Sequence, residues 1–195
     1  MRTKTFIAAL AASLACLSQA AFAGWEVSAE QSEISFVSVK KTRVAETHKF
    51  NSVSGDVTDS GRATINIALA SVETGIPIRN ERLQSMLFHT ERFPTATVSA
   101  QIDSDKLAGL QAGQSYSAEV PLKLSLAGSQ HTESAKLRVT GLEGGRALVT
   151  TAEPIVIDAA DYGLVQGIEK LREVAGLDAI SPIVPVTFQL VLDRS

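Results

Sequence analysis

Tyr116-Ser117-Ala118-Glu119-Val120-Pro121-Leu122-Lys123-Leu124-Ser125-Leu126 is the stretch whose reading decides the fold. Every even-numbered residue in it is apolar, and the odd ones are polar or proline. Successive side chains of an extended strand point to opposite faces, so one face of this segment is dry and the other wet. Pro121 lies on the wet face and has no N–H to give a neighbouring strand, which predicts a bulge or an edge there. Further strands are read at Ile34–Val39, Val53–Val57, Thr64–Leu69, Thr97–Ile102, Ala135–Thr140, Ala147–Thr151 and Val184–Leu192. Turn residues stand between several of them: Asp59-Ser60-Gly61, Ala127-Gly128-Ser129 and Glu143-Gly144-Gly145. Seven to nine short strands, each with one apolar face and mostly linked by short turns, belong to an all-β antiparallel barrel or sandwich.

Two segments change period. Arg79–Phe88 spaces Leu83, Met86 and Leu87 at helical intervals, and Leu164–Ala175 does the same with Val165, Ile168, Leu171 and Val174. Helices this short need a surface on which to bury the apolar stripe. On a barrel that surface is an end or an outer flank, where loops and helices gate an interior space.

The chain has 195 residues, room for one ordinary domain, with 45% hydrophobic and 20% charged residues, a globular balance. Its start has the anatomy of a secretory signal: Arg2 and Lys4, an apolar stretch around Phe6–Leu17, then Ala21-Phe22-Ala23. Cleavage is expected after Ala23. A permanent anchor is the rival, but the apolar core is short for a span. Cys16 as a lipoprotein acceptor is disfavoured by Ser13-Leu14-Ala15, which puts serine where such motifs prefer leucine. Removing residues 1–23 leaves an expected domain of residues 24–195, with 16 basic and 21 acidic side chains and no cysteine. Thiol chemistry, a disulfide scaffold and a cysteine-ligated metal are excluded from that domain. Its net charge of −5 gives no reason to expect a nucleic-acid partner. No other stretch is long and apolar enough to make an integral membrane helix.

Catalytic signals are thin. His48, His89 and His131 are far apart, and no His-Glu-x-x-His, Gly-x-Ser-x-Gly, Gly-x-Gly-x-x-Gly or phosphate-binding loop is present. Lys40, Lys41 and Arg43 form a small basic cluster, read first as a solvated strand end and second as a site for an anionic head group at a cavity mouth. Arg79, Arg82 and Arg92 flank the first helix near Glu81 and Glu91, where arginine stems cover apolar surface and their forks tie loops together.

Trp25–Phe36, His48–Gly55, Val72–Phe88 with Arg92-Phe93-Pro94, Leu122–Gly128 and Ile157–Leu164 are five ordered motifs that together resemble the YceI-like family of exported bacterial lipid-binding proteins. Trp25-Glu26-Val27 with Ser32-Glu33-Ile34-Ser35-Phe36 is similar to its first hairpin, and His48–Gly55 to its second strand, with His48 where glycine is more usual. Val72 to Phe88, followed by Arg92-Phe93-Pro94, is similar to its helix and the Tyr-Pro or Phe-Pro after it. Leu122–Gly128 and Ile157–Leu164, the latter with Asp161-Tyr162-Gly163, resemble two later elements. Departures are Asn80 for an aspartate, Glu81-Arg82 for a pair that often includes histidine, and Gln130-His131 for Thr-Lys.

The resemblance implies a lipocalin-like antiparallel barrel of about eight strands with two short helices, located in the periplasm. Its lumen would hold a long polyisoprenoid, an isoprenoid quinone or a similar lipid, with no cofactor, no metal and no catalysis. Lumen candidates are Phe36, Phe88, Phe93, Leu122, Leu124 and Phe188, each with a rival reading as ordinary core. Head-group candidates at the mouth are Arg79, Asn80 and Arg82. A buried methylene contributes about 0.8 kcal/mol, so ten of them could hold such a chain without discriminating its length. Two other readings stay open: a secreted structural or stress-related domain without a lumen, and an enzyme acting on a lipid-borne substrate through some of the three histidines. The oligomeric state is open too, a homodimer included.

Overall fold

A computed structural model describes residues 24–195. The expected leader, residues 1–23, lies outside the described residues. The alternating run at 116–126 is strand β8 (Ser115–Leu126). Before it come β1 (Gly24–Val27), β2 (Glu33–Lys40), β3 (Val44–Phe50), β4 (Val53–Thr58), β5 (Arg62–Ala68), β6 (Val72–Glu73) and β7 (Thr95–Gln101). After it come β9 (Ser129–Gly141), β10 (Ala147–Thr151), β11 (Ile155–Asp158) and β12 (Ile183–Arg194).

Every pairing is antiparallel. The order β1-β4-β5-β7-β8-β9-β10-β12 closes on itself because β12 also pairs with β1, Trp25 facing Arg194 and Val27 facing Leu192. That closure makes an eight-stranded antiparallel barrel, each member paired on both sides along at least part of its length. Above the barrel, the first half of β12 carries β11 on one side and β2, β3 and β6 on the other. β1 and β2 therefore follow one edge of β12, interrupted at Ala29–Gln31. At that break the Val191 amide donates to Ser32 Oγ at 3.0 Å and its carbonyl accepts from Ser28 N at 2.8 Å, so the ladder loses no buried partner.

The turns follow the sequence signals. β4 and β5 are a hairpin over Asp59-Ser60-Gly61, and β8 and β9 one over Ala127-Gly128, where both residues have positive φ (50° and 89°) as a tight hairpin requires. Pro121 pairs regularly with Ser134 on the β9 side, but the ladder with β7 stops at Lys123, so Pro121 faces no partner there. β9 starts at Ser129, earlier than its apolar alternation, because the polar residues 129–134 continue the hairpin outside the core. The stretch His48–Gly55 is not one strand: it is the end of β3, a break at Asn51-Ser52 and the start of β4.

The two expected helices are present, and a third accompanies them. α1 (Pro77–Arg82) opens with proline, whose missing N–H costs nothing in a first turn, and continues as π-helix over Leu83–Phe88. α2 (Ser104–Ala108) is capped by Asp103, whose Oδ1 accepts from Lys106 N at 2.9 Å. α3 is Val165–Val174. α3 packs on the π-helical segment, and together they cover the end of the barrel next to β2 and β3. Buried side chains form two clusters: one around Trp25, Val57, Leu69 and Leu192, the other around Leu137, Ile157, Tyr162 and Ile168.

Candidate functional site

The barrel interior is not solid. A lumen of about 160 Å³ is walled by inward-facing residues of β5, β7, β8, β9, β10 and β12, among them Ile65, Val98, Leu122, Leu124, Phe188 and Leu190. Its one charged wall residue is Glu133, and the Glu133 carboxylate accepts a 2.7 Å hydrogen bond from the hydroxyl of Tyr162, which is 1% exposed. Burial first, and the adjacent Glu133 second, push the Tyr162 phenol far above its usual range, so it stays a donor. With that carboxylate engaged, the lumen presents hydrocarbon.

A wider cavity of about 480 Å³ lies under α1 and α3. The walls of lumen and cavity follow one another along β2 and β12: Ile34, Val186 and Phe188 wall the lumen, while Phe36 and Val184 wall the mouth. Residues of one face alternate along a strand, so β2 presents Ile34, Phe36, Ser38 and Lys40 in sequence from lumen to rim. Polarity rises along that row. β3, in register with it, sets His48 opposite Phe36 and Glu46 opposite Ser38.

The charged groups of the mouth are tied together. Glu46 Oε2 accepts from Lys40 Nζ at 2.7 Å and from Arg79 Nη1 at 2.9 Å. The hydrogen bond from Lys40 and the charge of Arg79 hold the Glu46 carboxyl below its usual range against the opposing effect of burial. Arg79 Nη2 also donates to Thr74 O at 2.6 Å. Arg82 lines the same cavity and has no ion pair among the described residues. Three cations against one carboxylate leave the mouth electropositive in a chain whose overall charge is negative.

His48 is 4% exposed, the one buried polar residue of the described chain. Its Nε2 is 2.8 Å from Ser38 Oγ, and its ring lies 5.2 Å from that of Phe36. Burial, then the nearby Arg79 charge, push its pKa below the ordinary 6.5, so the imidazole is neutral at pH 7.

The candidate residues separate into groups. Leu122, Leu124 and Phe188 wall the lumen; Phe36, Arg79 and Arg82 wall the mouth. Phe88 lies elsewhere: it is buried in the core at the end of the π-helical segment, its ring 5.9 Å from that of Phe50. Phe93 is half-buried outside both cavities, with the Arg92 guanidinium 4.9 Å above its ring and the β8–β9 turn at Gly128 against its edge. Asn80 does not wall the mouth; its Oδ1 accepts from Thr74 N and Thr74 Oγ1 and so fixes the loop into α1. Lys40 joins the mouth, while Lys41 and Arg43 are exposed at the β2–β3 turn. Ser38 and Glu46 were not among the residues the sequence pointed to for the mouth, and His48 was named only in the enzyme reading; the signal lay in polar residues on the inward parity of β2 and β3. His89 and His131 are exposed and remote from His48, His131 resting edge-on against Tyr162. Among the described residues no group of His, Cys, Asp or Glu is placed to hold a metal ion, and no helix is long and apolar enough to cross a membrane.

A closed antiparallel barrel with an apolar lumen and a polar, cationic mouth defines a lipocalin-like container. The chain belongs to the YceI-like domain family, which matches residues 25–192. Among solved structures it is similar to a polyisoprenoid binding domain from Saccharophagus degradans implicated in plant cell wall breakdown. The two are 39% identical, over 89% of this chain and 99% of that one, with a TM-score of 0.87. It is also similar to BcnA of Burkholderia cenocepacia (21% identity, 85% of this chain and 98% of that one, TM-score 0.63). The YCEI protein of Campylobacter jejuni shares the fold (14% identity, 76% and 85% covered, TM-score 0.52). No curated protein matches the chain.

Proposed function

We propose that this protein is an exported, periplasmic carrier or reservoir for a long-chain isoprenoid-type lipid and performs no chemistry on it. The tail lies in the lumen and the head group rests at the mouth against Lys40, Arg79 and Arg82. The observation that carries the reading is the row Ile34, Phe36, Ser38, Lys40, a single strand face that passes from hydrocarbon wall to charged rim. An amphiphile is the ligand whose own polarity follows that order. The similarity to a polyisoprenoid binding domain supports the same class of ligand.

The test is to purify the protein from the exported fraction, extract it with organic solvent and weigh what is released. An isoprenoid lipid should come out of a polypeptide whose intact mass begins at Gly24. Ala100 lines the lumen, so Ala100→Trp should fold and carry no lipid. Wild-type protein that is lipid-free and takes up no added polyprenol would overturn the proposal.

One observation favours a second reading, hydrolysis of a lipid ester: Ser38 Oγ and His48 Nε2 are within the reach of a nucleophile and its base. Against it, His48 Nδ1 is buried with no partner to orient the ring. Covalent labelling of Ser38 by a fluorophosphonate, absent in Ser38→Ala, would establish this reading over the first.

A further inference from the structure

A further cavity shares wall residues with the lumen. It measures about 260 Å³ and lies beneath α2, on the flank between β7 and β8. Ile102, Val120, Leu137 and Val149 line both this chamber and the lumen, so the two spaces share one apolar waist. Beyond the waist the chamber is walled by Ala118, Val139 and the Tyr116 ring, and its outer rim carries Gln101, Asp103, Lys106 and Glu119.

The backbone explains the gap. β7 pairs with β8 only from Thr97–Ser99 to Ser125–Lys123, although continuing the same register would bring Gln101 opposite Pro121. Proline has no N–H for that ladder, and the strands part where it stands. β8 remains in register with β9 along its whole length, so the wall does not collapse; it opens on one side only. The chain leaving β7 turns at Asp103 into the five residues of α2, which cover the opening from outside. Leu107 is buried there, and Lys106 Nζ sits 4.3 Å over the Tyr116 ring. With five residues, α2 is too short to be stable as a helix without the barrel beneath it.

The lumen by itself, at about 160 Å³, is smaller than the roughly 300–1,000 Å³ of pockets that enclose drug-sized ligands. With the head group held in the mouth, a chain longer than the lumen needs space at the lumen's other end. We infer that the chamber under α2 is a tail portal: the far end of the lipid passes the waist at Val120 and Val149 and leaves the barrel between β7 and β8. This rests on the lipid-binding reading above and adds a specificity to it. The barrel then does not measure chain length, and polyprenyl chains longer than the lumen are ligands rather than excluded ones.

Ala118 lines the portal and not the lumen, which makes it the residue to test. Binding of a four-unit and an eleven-unit polyprenol is measured to the whole protein, to Ala118→Trp and to the smaller step Ala118→Leu, each checked for folding by its thermal transition. Wild type should bind the eleven-unit chain at least as tightly as the four-unit chain. Ala118→Trp should weaken the long chain by about tenfold, the equivalent of losing burial for about two methylenes, and leave the short chain unchanged. Ala118→Leu should give a smaller loss of the same kind, and it carries the test if the tryptophan variant does not fold. Wild type that binds the short chain and rejects the long one overturns the portal alone, as does a long chain that both variants bind like wild type. Wild type that binds neither chain overturns the lipid reading and the portal with it.

Discussion

His48 concentrates the chemistry of the mouth in one side chain. A buried imidazole whose pKa is depressed binds its proton more weakly in the folded than in the unfolded chain. The unfolded state then takes up more protons as pH falls below 6.5, and stability drops through that window. The groups around the ring are Lys40 and Arg79, which oppose protonation, and Glu46, which favours it. Glu46 keeps its charge there because its own pKa is held low. Wild type should therefore lose thermal stability between pH 7 and 5.5. His48→Phe should lose about 1 kcal/mol at pH 7 through the missing Ser38 hydrogen bond and show a flatter profile below it. Thermal melts of both proteins across this range check it; parallel profiles would rule the assignment out. At this scale the sequence was partly legible. Leu122, Leu124 and Phe188 declare their side by strand parity. Phe88 does not, since a helix residue on a barrel can face either the lumen or the core beside it.

Most elements that bury an apolar row were legible; β11 was not, because its row is only Ile155 and Ile157. β3 was missed for a different reason. Its inward residues are Glu46, His48 and Phe50, facing Ser38, Phe36 and Ile34 of β2. A strand that walls a polar mouth has no dry face, so the period-two signal disappears where the site is built. β6 and α2, with two and five residues, are too short to carry any period. The lid over the mouth depends on a close approach between helices. Gly167 of α3 is buried, and a Cβ there would meet Met86 O at 2.8 Å and Leu87 Cα at 3.0 Å. Alanine is the better helix former by about 1 kcal/mol, yet here it meets backbone that cannot swing aside. Gly167→Ala should therefore destabilise the protein by about 1–3 kcal/mol, the sign opposite to helix propensity. Denaturant unfolding of the two proteins decides it: a more stable variant would mean that α3 sits loosely on the π-helical segment.

For the whole molecule, one barrel has to be both scaffold and container. The expected exported domain has no cysteine, so no disulfide offsets the packing that an open lumen forgoes. A ligand that fills the lumen binds the folded chain and not the unfolded one, and it stabilises by mass action. At a free lipid concentration a hundred times Kd that amounts to about 2.7 kcal/mol. For a domain of this size each kcal/mol is worth about 2–4 °C, so the melting temperature should rise by roughly 5–10 °C when lipid is returned to the delipidated protein. Ala100→Trp places an indole in the same space and supplies part of that packing from within. Its melting temperature should not respond to added lipid. The comparison separates a lipid in the lumen from one adsorbed on the surface, because a surface effect would raise both proteins equally and a lumen effect raises only the wild type.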